Sequence, residues 1–116
     1  MPRQAVTDML FSRVYPMLIQ KAERKGRLRS EVDQVTAWLT GYTPDQILLC
    51  LGSSLTYGDF FRQAPAYNPD AARITGKVCG IQVETIADPL MKQIRQLDKL
   101  VDDLARGKPM SRVLPS

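Results

Sequence analysis

Histidine is absent from all 116 residues. Its absence removes the commonest metal ligand and general base, the Ser–His and Cys–His dyads, and every zinc site that relies on imidazole. Cysteine is scarce: Cys50 and Cys79 are the only two and have no CxxC spacing, so neither a zinc ribbon nor a thioredoxin-type redox pair is readable. Both sit among apolar neighbours, which predicts buried reduced thiols, with a disulfide or a reactive thiol as the alternatives. Long apolar runs are missing too. The longest, Ile47 to Leu51, falls far short of the ~20 residues that span a bilayer, so no membrane segment is expected. Met1 to Phe11 carries Arg3 and Asp8 and holds no unbroken apolar stretch of leader length, which predicts a cytoplasmic protein. There is no phosphate-binding glycine loop, no GxSxG and no carboxylate-rich metal signature, so neither cofactor nor metal is expected.

What is present is an ordinary globular composition, 44% hydrophobic and 24% charged, in a chain long enough for one core. The expectation is a single domain over residues 1–116, with 108–116 as a flexible tail. Val6, Met9, Leu10, Val14, Met17, Leu18 and Ala22 recur at helical spacing up to Gly26, a C-terminal cap. Pro16 lies inside that span and predicts a kink or two short helices. Ser30 reads as the cap of a second helix carrying Val32, Val35, Ala37, Trp38 and Leu39, stopped by Gly41, with Trp38 in the core. Thr43-Pro44-Asp45-Gln46 combines an N-cap threonine, proline at the first helical position and a capping-box glutamine. Thr56 with Asp59 opens a short fourth helix carrying Phe60 and Phe61, and Asn68-Pro69 and Asp88-Pro89 repeat the cap-then-proline signature.

Ala71 to Ile86 supports two readings. Val78, Cys79, Ile81, Val83 and Ile86 suit a strand, whereas Ala71, Ile74, Val78, Ile81 and Thr85 keep a helical stripe, and no other segment offers a strand to pair with. Gly76 and Gly80 share the four-residue spacing that lets helix backbones approach closely. Pro89 to Arg106 is the clearest helix, with Leu90, Ile94, Leu97, Val101 and Leu104 at alternating intervals of four and three, and Gly107 as its stop. The class is therefore all-α, five or six helices with a long C-terminal one. Met91 and Leu100 widen the apolar stripe beyond what one neighbouring helix covers. That width predicts a homodimer through Leu90, Ile94, Leu97, Leu100, Val101 and Leu104, unless the first helix fills the second side.

Charge is unevenly spread. The net charge is +4, yet residues 1–30 hold seven basic and two acidic side chains and residues 31–58 hold no basic and three acidic ones. Lys21, Arg24, Lys25, Arg27 and Arg29 form a cluster able to neutralise phosphates, ahead of two helices of helix-turn-helix length. Against nucleic-acid binding, the would-be recognition helix Ile47-Leu48-Leu49-Cys50-Leu51 offers almost nothing to base edges. Glu84, Arg95, Asp98 and Lys99 are the candidate polar site. The last three sit at ladder spacing on one helix, usually a solvated face, while Glu84 lies in an apolar stretch where Arg95 would be its partner. A small enzyme using Glu84, Arg95 and Asp98 ranks below nucleic-acid binding, and both rank below an interaction or structural module without catalysis.

Several stretches also resemble a known family: Trp38-Leu39-Thr40-Gly41-Tyr42, Phe60-Phe61 with Ala64-Pro65, Ile74-Thr75-Gly76 with Cys79-Gly80 and Val83-Glu84, and above all Asp88-Pro89-Leu90-Met91 through Gly107-Lys108. From about Val14 to Leu114 the chain is similar to the short bacterial proteins grouped as domain of unknown function 2200, from whose commoner residues Gln82, Asp103 and Arg112 depart. The resemblance implies one compact bacterial domain and brings no activity with it.

Overall fold

A computed structural model describes residues 5–115. Among them a 3-10 turn, Val6–Asp8, precedes α1 (Phe11–Glu23), α2 (Arg29–Thr40), α3 (Pro44–Leu51) and α4 (Tyr57–Arg62). A loop region of two further 3-10 turns, Pro69–Arg73 and Val83–Thr85, flanks a hairpin of β1 (Lys77–Val78) and β2 (Ile81–Gln82), and α5 (Pro89–Ala105) and α6 (Met110–Val113) follow. The class is mainly helical, as the periodicity predicts.

Local chemistry accounts for most boundaries. Thr43 and Gln46 form the expected capping box, the Gln46 amide donating to the Thr43 hydroxyl at 3.1 Å and the Thr43 amide to the Gln46 side chain at 2.9 Å. The Asp59 amide donates to the Thr56 hydroxyl at 3.1 Å and opens α4. Ser30 does not cap α2. The helix starts one residue earlier, with the Leu28 amide donating to the Glu31 carboxylate at 3.0 Å. Gly41, at φ +82°, ends α2, and a Cβ there would stand 2.7 Å from Ala66. The adjoining loop then satisfies carbonyls at the end of α2, with Ala66 N donating to Thr40 O and Asn68 N to Leu39 O at 3.1 and 2.8 Å.

Two expectations are corrected. The first helical segment is not split into two helices at Pro16, which lies inside α1, and the break falls at Met9 and Leu10. Tertiary hydrogen bonds decide the position: Phe11 N donates to Leu55 O and Tyr57 N to Met9 O, at 2.9 and 2.7 Å, which holds this stretch extended beside residues 55–57. Ala71 to Ile86 is not one helix. Its strand-like residues pair with each other, Lys77 opposite Gln82 and Val78 opposite Ile81. The reversal is made by Cys79 and Gly80, at φ +53° and +77°, as a two-residue hairpin turn requires. The Gly76 and Gly80 spacing thus reflects left-handed backbone rather than helix contact. The turn also leaves Cys79 exposed, while Cys50 is half-buried, and both thiols are free.

The core is an aromatic stack continued by α5. Phe60 lies between Phe11 and Tyr42, with ring centroids at 4.2 and 4.4 Å, and Phe11 stacks on Tyr15 at 4.8 Å. Trp38 is half-buried at the margin rather than central, its carbonyl accepting from Asn68 Nδ2 at 3.2 Å. Ile94, Leu97, Leu100, Val101 and Leu104 are each at most 1% exposed, because α5 packs on α1, α2, α4, the hairpin and α6. The stripe assigned to a second copy is therefore covered within one chain, with α1 on one side, and only Leu90 and Met91 are half-exposed. The segment after Gly107 carries α6, whose Val113 is buried in the core.

Truncating Leu97 to alanine removes a fully buried side chain from the middle of α5 and should destabilise the fold by about 2–5 kcal/mol. Thr43→Ala, which removes only the cap, should cost about 1 kcal/mol. Urea denaturation of the two variants checks both the order and the gap.

Candidate functional site

The basic segment does not form a free cationic face. Lys21 Nζ lies 3.1 Å from Asp102, Arg29 lies 3.7 Å from Asp33, and Arg27 grips Glu31 with its closer nitrogen at 2.6 Å. Arg27 also donates to the Lys108 carbonyl at 2.7 Å, tying the α1–α2 connection to the α5–α6 connection. Arg24 and Lys25 stand exposed where α1 ends. Cations at a helix C-terminus complement its dipole without any ligand.

The polar residues proposed for acid–base work do not converge. Glu84 is exposed, and its carboxylate accepts the Gly76 amide at 3.1 Å rather than meeting Arg95, because the hairpin turns this stretch back along itself. Arg95 pairs with Asp98 at 3.0 Å, one helical turn away, and its guanidinium reaches the Cys79 sulfur at 3.7 Å. Burial raises the Asp98 pKa against the pull of Arg95. Beside them Tyr57 is buried, and its hydroxyl has no hydrogen-bond partner among the described residues.

Lys99 leads elsewhere. Its ammonium lies 2.8 Å from Asp103 Oδ1, and the two side chains are only 12% and 10% exposed. A second cation, Lys108, approaches the same oxygen at 3.4 Å. This trio forms one wall of a cavity of about 260 Å³ between the loop before β1, the middle of α5 and the C-terminal segment. Arg73, Thr75 and Arg112 line the other sides. Apolar surface comes from Ile74, Leu100, Val113 and Pro115.

The sequence builds this cavity through two glycines. Gly107, at φ +88°, reverses the chain after α5, and the Lys108 amide closes the turn onto the Asp103 carbonyl at 3.2 Å. That reversal carries Lys108 and Arg112 back beside the α5 turn holding Lys99 and Asp103. Gly76 supplies clearance, since a Cβ there would lie 3.0 Å from Lys99 Cε. Of the charged lining groups, sequence reasoning placed only Lys99 in a candidate site. Residues 89–116 carry six basic against three acidic side chains, Lys108 and Arg112 among them, but nothing periodic joins Arg73 to these.

Comparisons with known proteins place the chain. A family model described as an uncharacterized protein conserved in bacteria, DUF2200, matches residues 5–115. The chain belongs to this family. The DUF2200 fold is also seen in the crystal structure of uncharacterized protein SP1917, 55% identical to this chain, covering 97% of it and 93% of SP1917, with a TM-score of 0.92. No curated protein matches significantly. No helix among the described residues is long and apolar enough to cross a membrane, and no group of three or more Cys, Asp or Glu among them could hold a metal ion.

The shifted carboxylates act in opposite directions. Asp98 is harder to ionise in the fold than in the unfolded chain, so its contribution is complete below the ordinary aspartate value and lost as pH rises through the raised one. Glu31, held down by Arg27 and the Leu28 amide, contributes stability at neutral pH that is lost as pH falls through its lowered value. Asp102 behaves likewise, because Lys21 and Arg106 outweigh the burial that opposes its ionisation. Near neutral pH, Asp98→Asn should therefore leave stability unchanged or raised while Asp102→Asn lowers it. Both differences should shrink on acidification, as urea denaturation across pH will show.

Proposed function

We propose that this protein is a small binding module without catalysis of its own, and that the cavity between α5 and the C-terminal segment receives an anionic group. One observation carries this reading: the cations Lys99, Lys108 and Arg112 line a single concavity in which Asp103 is the one side-chain carboxylate among the described lining residues. A concave wall of low dielectric focuses such a field and raises the local concentration of anions. Arginine and lysine on separate elements suit an oxyanion whose oxygens point in different directions. The separation of Glu84 from the Arg95–Asp98 pair supports a role in binding over acid–base chemistry. Two unpaired cysteines suit a reducing, cytoplasmic setting. Nucleic-acid binding through Lys21 to Arg29 is less favoured, since Lys21, Arg27 and Arg29 already face carboxylates.

Isothermal titration with inorganic phosphate tests the reading. Saturable one-to-one binding that weakens with added salt is expected, with at least a tenfold loss in the Lys108→Ala, Arg112→Ala double variant. Absence of binding at millimolar phosphate, or affinity unchanged by the double variant, would overturn it. A salt-dependent mobility shift of duplex DNA abolished by Arg24→Ala, Lys25→Ala would favour the nucleic-acid reading instead.

A further inference from the structure

We infer that the protein associates with a second copy of itself through two unlike patches, the connection between α1 and α2, tipped by Leu28, seating in the groove between α3 and α4 of the neighbouring copy. Two side chains carry the inference. Leu49, 75% exposed, and Leu28, 64% exposed, are the most exposed large apolar residues among those described, and they stand in opposite electrostatic settings. From residue 23 to residue 29 there are four cations, Arg24, Lys25, Arg27 and Arg29, against Glu23. Arg27 and Arg29 face Glu31 and Asp33 on α2, whereas Arg24 and Lys25 stand exposed beside Leu28. Leu49 belongs instead to residues 30–61, which hold no lysine or arginine and include Glu31, Asp33, Asp45 and Asp59.

The groove itself selects for a knob of positive charge. On α3 Asp45 precedes Leu48 and Leu49 by three and four residues, so all three share one exposed face, and that face ends at the negative pole of the helix. Beside it lies a groove of about 570 Å³ lined by Leu49, Cys50, Leu55, Thr56, Asp59 and Gln63, ample for a leucine side chain. Arg62, the first cation after this stretch, is held by Asp59 at 2.8 Å. An exposed leucine flanked by cations complements such a surface, and the α1–α2 connection presents one. The two patches do not meet within one chain. Leu55 lines the groove and its carbonyl accepts the Phe11 amide at the start of α1, whereas Leu28 lies beyond the other end of that 13-residue helix. At 1.5 Å per residue the helix separates them by about 20 Å. Each copy therefore offers one knob and one groove, and the contact joins unlike patches. The apolar stripe of α5 takes no part, since it is covered within the chain.

Sedimentation equilibrium of the intact protein from micromolar to millimolar concentration tests this. At low salt the average mass should rise above that of one chain, and the association should weaken at least tenfold in strong salt. Leu28→Asp removes the knob and leaves the groove, in a position at the start of α2 where aspartate is a good cap. Leu49→Lys does the reverse, placing a cation where the dipole of α3 favours one. Each variant alone should sediment as a single chain, and an equimolar mixture should regain association, because one supplies an intact groove and the other an intact knob. A single-chain mass for the unmodified protein at millimolar concentration and low salt overturns the inference and leaves the groove to a basic segment of another protein. Undiminished association in either folded variant overturns it too, since a patch meeting its own copy needs only one of the two. A mixture that stays monomeric has the same meaning. Should a variant lose its helical circular dichroism, Arg24→Glu, Lys25→Glu replaces the first and Asp45→Lys the second, with the same outcomes, because these changes touch only exposed charges.

Discussion

Helix α5 has to satisfy two environments at once, and the rest of the chain is arranged around that demand. Its apolar side chains lie on a stripe too wide for one neighbouring helix, so α1, α2 and α4, the hairpin and α6 each cover part of it. Burial of this kind scales with apolar area, and Ile94, Leu97, Leu100, Val101 and Leu104 are all essentially sealed from water. The flank of the same helix carries Arg95, Asp98, Lys99, Asp102 and Asp103, which are only partly exposed and must find partners because water reaches them poorly. Their partners come from distant segments as well as from α5: Lys21 reaches Asp102, and Lys108 reaches Asp103. Hydrophobic packing sets where α5 lies, and this half-buried charged flank determines which loops are held against it.

The legible part of the fold was the part encoded by local chemistry. Thr43 with Gln46, Thr56 with Asp59, and Gly41 make contacts within a few residues, and each boundary follows from a hydrogen bond or a left-handed backbone that short-range sequence specifies. The seam of α5 was legible because its periodicity persists for the whole of a 17-residue helix. Legibility ended where a partner distant in sequence took over. Met9 and Leu10 have the composition of a helix, yet their backbone is claimed by residues 55–57, and no periodicity at residue 10 announces it. Ala71 to Ile86 failed for a related reason. No other segment offers a strand to pair with, yet two-residue strands find a partner inside the same segment once Cys79 and Gly80 turn the chain.

The candidate site divides along the same line. Lys99 was legible as one rung of an i, i+4 ladder, and the ladder exists, since its partner is Asp103. Ladder reasoning treats such a pair as solvated, however, and these two side chains are nearly covered because residues 73–76 and the reversal after Gly107 lie over them. The basic segment shows the converse. Five cations close together in sequence suggest a surface, but α2 and α5 bring Glu31, Asp33 and Asp102 to three of them. Sequence density of charge is thus a poor guide here to where positive potential survives folding. Lys99 and Lys108, from α5 and the segment after it, share the one carboxylate of Asp103.

That imbalance also explains why the Lys99–Asp103 pair borders a cavity instead of lying in the sealed core. Desolvating two charges costs more than their mutual attraction returns unless further polar contacts complete them. Lys108 adds one such contact from the reversed C-terminal segment, and the open side of the cavity leaves the other lone pairs and protons accessible to solvent. Asp103 therefore neutralises only part of the charge around it, and a lysine shared between a carboxylate and a solvent-filled space is held in place without being used up. For the anion binding proposed here, Lys99 and Lys108 are already positioned by Asp103, so little of their side-chain freedom would remain to be lost.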